Sequence, residues 1–242
     1  MTGVFYSLGR KAAPAWLKGK WMLHALTGNN EDIVESEYLL GCLLAEIYER
    51  KTGVPADSVD DEALARTGGR LADKLKNKER KFSFKRDNAP EPNALALPGG
   101  FVYISAPLLD LCGREEHEIA FILAHEMGHV VRGHASKRFV TSVAANAISR
   151  TGMRGGPARR AMRDLLVKVM ERGYSRAQEM DADSLAVRLM QAARFDPAAG
   201  EQALARIAEA RKAREEGWGE YFSTHPPISS RIENIRQRIG KK

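Results

Sequence analysis

Residues Ala124-His125-Glu126-Met127-Gly128-His129 contain the pattern His-Glu-x-x-His, and no other stretch narrows the possible folds so far. On an α-helix, residues four apart lie on one face, one turn above the other. His125 and His129 can therefore turn two imidazole nitrogens towards a single ion, at about 2.0–2.1 Å if that ion is zinc. Glu126 lies about 100° around the same helix, within reach of a water at the ion without ligating it. Two ligands and a separate general base are what metal-assisted peptide hydrolysis requires. A five-residue pattern also arises by chance. The rest of the chain must supply a third ligand, an edge to hold substrate and a stabiliser of the oxyanion.

The chain has 242 residues, 43% hydrophobic and 29% charged, an ordinary globular balance with ample length for a core. Its net charge of +7 comes from 38 Lys and Arg against 31 Asp and Glu. Those bases are spread from Arg10 to Lys242 without a clustered footprint, so no nucleic-acid partner is expected. Cys42 and Cys112 sit amid apolar neighbours and read as two buried thiols, not a disulfide framework. Neither cysteine has metal-ligand spacing, so a metal must rest on histidine and carboxylate. No apolar run approaches the ~18–20 residues of a membrane span. Residues 1–30 hold no uninterrupted apolar stretch of the ~7–15 residues a secretory signal needs. As written, the chain reads as cytoplasmic; a preceding leader or anchor would make it periplasmic or membrane-associated. A monomer is expected.

The pattern of apolar residues predicts an α+β fold, mainly helical, with an N-terminal extension over 1–30 and one domain over 31–242. The extension mixes bases with Phe5, Tyr6, Trp16 and Trp21. Packing of the tryptophans onto the domain is the preferred reading; weak contact with a membrane surface is the second. Helices are predicted over 31–52 and 60–78, the latter weakened by Gly68-Gly69. Lys81–Lys85 alternates as a half-buried strand should. Asn93–Leu97, the turn Pro98-Gly99-Gly100 and Phe101–Ile104 read as an antiparallel hairpin, with Pro90 and Pro92 fitting an edge position for the first strand. The motif helix is expected to begin near Arg114 and to bury one side. Two helices around a mobile loop at 151–157 follow, a candidate lid, then helices from Ser175 to Ala193 and from Asp196-Pro197 to about Arg214. A last helix is expected to open at Ser230, with Glu233 completing a capping box.

Two residues compete for the third ligand. His134 would suit the metzincin pattern His-Glu-x-x-His-x-x-Gly-x-x-His, but the glycine here is Gly133, one place late, and position 135 is Ala135. His134 therefore reads as a surface or capping residue. Glu179 is the better candidate, on a separate downstream helix as in gluzincin peptidases. Asp183 stands four residues on, on the same face, where it could accept the remaining ring N–H of His125 or His129. The plain alternative for Glu179 is an exposed helical carboxylate. An edge strand at Asn93–Leu97 could take up an extended peptide through main-chain hydrogen bonds; the plain alternative is an ordinary sheet edge.

His125-Glu126-Met127-Gly128-His129, Glu179-x-x-x-Asp183, Asn93–Gly100 and His225-Pro226-Pro227, taken in this order, resemble peptidase family forty-eight of the metalloendopeptidases. That group includes the CAAX prenyl protease type 1 and the stress-induced membrane proteases. The match spans roughly residues 31–240, and lacks the transmembrane helices of many members, which points to a soluble branch.

The resemblance implies a zincin-like (minigluzincin) core: a small, mostly antiparallel sheet beside the motif helix. It also implies one Zn2+ per chain held by His125, His129 and Glu179, with Glu126 as general base and Asp183 behind the ligands. Asn93, Ala94, Leu95 and Ala96 would bind a protein or peptide substrate, unfolded or damaged protein in particular. His225 would either donate to the oxyanion or fill the metal's open position at rest; a turn histidine without a role is the plain alternative. Arg231 would orient that loop or add positive charge. The rival from another class is a zinc-containing, chaperone-like binding protein with a self-inhibited site.

Overall fold

Every residue from Ala120 to Val130 is buried, so the motif lies on a helix enclosed on all sides rather than on one side only. The computed structural model describes residues 30–54, 59–146, 164, 173–213, 225 and 228–240. The extension with Trp16 and Trp21, the loop expected at 151–157, the helix expected after it (residue 164 apart) and Gly217-Trp218-Gly219 lie outside these residues.

The elements in chain order are α1 (Asn30–Thr52), α2 (Val59–Ala72), β1 (Ser83–Asp87), β2 (Ala94–Leu97), a 3-10 turn at Pro98–Gly100, β3 (Phe101–Ser105) and α3 (Ala106–Leu111). Then come α4 (Glu116–Val131), α5 (His134–Asn146), α6 (Arg176–Ala192), α7 (Ala199–Ala213) and α8 (Ile228–Ile239). Among the described residues, no helix is long and apolar enough to cross a membrane.

The three strands lie in the order β1-β3-β2. β2 and β3 form the expected antiparallel hairpin, with Ala94 opposite Ile104 and Leu97 opposite Phe101. β1 joins β3 in parallel, Ser83 opposite Phe101 and Asp87 opposite Ser105. The sheet is thus mixed, because β2 crosses to the far side before the chain turns back as β3 between the two. Pro90 and Pro92 precede β2, which takes the edge position that such residues favour.

Both faces of this sheet are covered. Ala94, Ala96, Val102 and Ile104 join the larger core with α2, α4, α6, α7 and α8. Leu95, Leu97, Phe101 and Tyr103 point the other way, into a second core with Leu44, Ile47 and Tyr48 of α1 and Phe139 of α5. Period-two alternation in strands that are apolar on both faces produces this division. Cys42 and Cys112 are buried free thiols, one in each core.

Several local expectations shift. β1 starts at Ser83, and its Asp87 is buried, accepting from the Tyr48 hydroxyl at 2.6 Å. α2 runs through Gly68-Gly69 but ends at Ala72. The motif helix starts at Glu116, not near Arg114, which has φ +56 in a turn; the residues before it form the short helix α3, capped by Ser105. α7 starts at Ala199 rather than at Asp196-Pro197, though Asp196 Oδ1 accepts from the Ala198 N–H at 2.9 Å in the turn before it. α8 starts at Ile228, so Ser230 lies inside the helix and is not its cap. Sequence pattern locates elements better than their ends, where one or two side-chain bonds decide.

Candidate metal centre

Two helices build the site. On α4, the four-residue step brings the rings of His125 and His129 to 4.7 Å between centroids. α6 is fixed at its start by a capping box: Ser175 Oγ accepts from the Gln178 N–H at 3.3 Å, and Gln178 Oε1 accepts from the Ser175 N–H at 2.9 Å. This sets Glu179 in the first helical turn, where the positive end of the dipole favours a carboxylate. Gly128 lets the two helices meet. A Cβ there would come within 3.0 Å of the backbone of Ala182, so the residue between the histidines is bare because α6 lies against it.

Four donor atoms then converge. His125 Nε2 is 3.1 Å from His129 Nε2, His129 Nε2 is 3.2 Å from Glu179 Oε1, and Glu179 Oε1 is 3.0 Å from His225 Nδ1. His225 Nδ1 closes the ring at 3.3 Å from His125 Nε2. Ligand atoms of the four residues all lie within 4.8 Å of one another, and all four residues are buried. Donors about 2.0–2.1 Å from a shared tetrahedral centre stand about 3.3–3.4 Å apart. The observed spacing is close to that, and the donor set of imidazole and carboxylate suits zinc.

The surrounding charges fit as well. Asp183 Oδ1 lies 2.8 Å from His125 Nδ1, so the proton of His125 sits on Nδ1 and its Nε2 lone pair faces the centre. Arg231 Nη2 is 3.1 Å from the same Nδ1, but a nitrogen that donates to Asp183 cannot also accept from Arg231. The guanidinium instead bonds Asp183 through Nε (2.9 Å) and Nη2 (2.8 Å), with Nη1 3.2 Å from Glu179 Oε2. Burial alone would push the Asp183 carboxyl up, yet Arg231 and His125 hold it below its ordinary value. Burial likewise opposes ionisation of Glu179, and His225, Arg231 and the bond from His129 outweigh it, keeping that carboxyl well below the usual range. Burial chiefly holds His129 well below the usual histidine value, the direction that favours the neutral form a metal ligand needs.

Three buried carboxyl side chains, Glu126, Glu179 and Asp183, stand here with the single guanidinium of Arg231, an excess that suits a divalent cation. Glu126 is fully buried, and among the described residues neither of its oxygens has a hydrogen-bond partner. An orphaned buried carboxylate is costly unless something polar meets it. Its Oε1 faces His225 Nε2 at 3.6 Å. The residues present fit a metal.

A family model described as peptidase family M48 matches residues 58–239. The chain belongs to this family. It is therefore a metalloendopeptidase by descent, and it is similar to proteases from bacteria and mitochondria. Metalloprotease LoiP of Escherichia coli is 25% identical over 200 residues, covering 81% of this chain and 77% of LoiP. Mitochondrial metalloendopeptidase OMA1 of Saccharomyces cerevisiae is 29% identical over 158 residues, 64% of this chain and 46% of OMA1. The beta-barrel assembly-enhancing protease of Yersinia pestis is 24% identical across 82% of this chain, which spans 43% of that protein. Against the latter two, the chain spans less than half of the relative's length.

Of the residues singled out in the sequence, His125, Glu126, His129, Glu179, Asp183, His225 and Arg231 come together in one buried cluster. Arg231 lies on α8 between the carboxylates of Asp183 and Glu179, where it contributes positive charge. Asn93 leads into β2 at the sheet edge, and β2 packs against α4, the helix that carries His125 and His129. The Asn93 N–H donates to Ser105 Oγ at 2.8 Å, and its carbonyl accepts from the Ser105 N–H at 2.9 Å.

Two expectations need correcting or extending. His134 is not a surface residue: it is 7% exposed, at the start of α5, with Nδ1 3.1 Å from His129 Nδ1. Burial holds it below the usual histidine value. Sequence reasoning also missed Tyr174, whose ring stacks on His129 at 3.6 Å between centroids and 12° between planes. Its position just before the Ser175 cap was the one available signal.

Proposed function

We propose that this chain is a zinc-dependent endopeptidase acting on unfolded or damaged protein, with Glu126 as the general base. The observation that carries this reading is the unpartnered, buried Glu126 carboxylate beside four converging ligand atoms. His125, His129 and Glu179 would hold the zinc. Bound there, zinc supplies a Lewis acid that brings the pKa of a water to about 7.

Each chain group then has one task. Glu126 receives a proton on a carboxylate oxygen as water attacks the scissile carbonyl, and returns it to the leaving amine nitrogen. Asp183 and Arg231 keep His125 in one tautomer and one orientation. β2 has a strand partner on one side only, β3, among the described residues. Its other edge can bind an extended substrate backbone in register with the centre. The enclosed site excludes bulk water, which strengthens each of these charge interactions.

His225 stands among the ligand atoms, which favours the resting-state reading over that of a fixed oxyanion donor. On this reading its imidazole must leave Glu179 before substrate enters, and it then becomes available as a donor to the oxyanion. The test is zinc content after reconstitution at neutral pH, combined with casein cleavage by wild type and His225→Ala. One zinc per chain, with cleavage by at least one of the two, is expected. Protein that takes up no zinc overturns the reading. Stoichiometric zinc without cleavage by either protein would favour a binding role instead.

A further inference from the structure

His134 takes no part in the reaction above, yet it is buried with its Nδ1 3.1 Å from Nδ1 of His129. Two like ring nitrogens at this distance are bonded only if one carries the hydrogen and the other the lone pair. The nitrogen of His129 that converges with His125 and Glu179 is Nε2. A neutral imidazole offering Nε2 as a lone pair carries its hydrogen on Nδ1. His129 is therefore the donor and His134 Nδ1 the acceptor. That leaves the hydrogen of His134 on Nε2, which faces Asp181 Oδ2 at 3.8 Å. Asp181 is held in turn by Arg132, at 3.1 Å.

The backbone explains how residue 134 reaches this place. On a straight helix it would stand about 140° around from His129. α4 stops instead, and Gly133 adopts φ +67, a conformation that favours glycine, so α5 begins with His134 folded back against the ring. The face of the same ring is covered by Tyr174, whose plane lies 12° from it. His129 is thus restrained at its edge by a bond and on its face by a stack.

We propose that His134 is a positioning residue for the metal ligand His129; this rests on the metal-site reading given above. The two ligand histidines then differ in their support. His125 leans on the carboxylate Asp183, which adds negative charge to the centre. His129 leans on a neutral ring, which fixes tautomer and orientation without adding charge, and so leaves the metal a stronger Lewis acid.

The direct test is nitrogen NMR of zinc-loaded wild type with 15N-labelled histidine. The expected result is one slowly exchanging His129 Nδ1–H whose proton is coupled across the hydrogen bond to a second ring nitrogen, assigned by its loss in His134→Asn. A His129 Nδ1–H without a second coupled ring nitrogen overturns the proposal. Zinc affinity by chelator competition gives an independent reading. His134→Phe keeps a ring without an acceptor and should weaken zinc binding about 10–100-fold, with a shifted ligand-field band in the cobalt-substituted protein. His134→Asn, whose Oδ1 can accept in place of Nδ1, should recover most of that loss. Equal affinity in wild type and His134→Phe overturns the proposal while leaving the metal site intact. Absence of zinc binding by wild type overturns the metal-site reading instead. If His134→Phe fails to fold, the coupling measured in wild type decides.

Discussion

Arg231 is a fully buried guanidinium that donates two hydrogen bonds to Asp183 and whose Nη1 lies 3.2 Å from Glu179 Oε2. Removing one member of such a group strands the others, at a cost of about 3–5 kcal/mol. Arg231→Met should therefore destabilise the chelated protein by about that much in urea unfolding. The pH dependence has a definite sign. In wild type the carboxyl of Asp183 is held below its ordinary value, so its contribution to stability is complete above about pH 4 and is lost as the pH falls through the lower folded value. Without Arg231, burial dominates and raises that carboxyl, so acidification relieves the variant. The gap between wild type and Arg231→Met should narrow as the pH falls; a gap that widens would contradict the account. At the same scale, Cys112 is pushed up to about 12, chiefly by burial. It should resist alkylation in the native protein until unfolding exposes it, as mass spectrometry of reagent-treated protein would show.

The helices α4 and α6 carry the site because of one bare position, Gly128 against the backbone of Ala182. Gly128→Ala gains helix propensity of about 1 kcal/mol, but the close backbone contact makes overpacking cost about 1–3 kcal/mol. The larger Gly128→Val change should push α6, and Glu179 with it, away from the histidines. Zinc affinity should fall at least about tenfold, measured by chelator competition, the scale on which displaced support around a metal costs affinity. Unchanged affinity would mean that the helix spacing does not set the ligand geometry. The Ser175–Gln178 box that caps α6 emerged only in the structure, whereas the motif helix and the helix from about Ser175 were legible in the sequence because each rests on local spacing of apolar and ligand residues. The parallel β1–β3 pairing was not, because register between distant segments is chosen by packing on both faces of the sheet. His134 was misread for a related reason. One turn at Gly133 reverses its direction, and side-chain spacing along a helix says nothing once the helix stops.

For the whole molecule, the central consequence is that metal and fold support one another. Buried carboxyl side chains that outnumber the guanidinium beside them are unfavourable alone and favourable around a divalent cation. Zinc at 100 times its dissociation constant should stabilise the protein by about 2.7 kcal/mol, visible as a rise in Tm that EDTA reverses. Family membership was legible from four separated motifs, which the fold brings together through α4, α6, β2 and the approach to α8. The most direct measurement of the central claim compares casein cleavage by zinc-loaded wild type and Glu126→Gln at equal zinc content. The account predicts that Glu126→Gln keeps its zinc and loses about 10²–10⁴-fold in rate. Undiminished cleavage by a zinc-replete Glu126→Gln protein would contradict it.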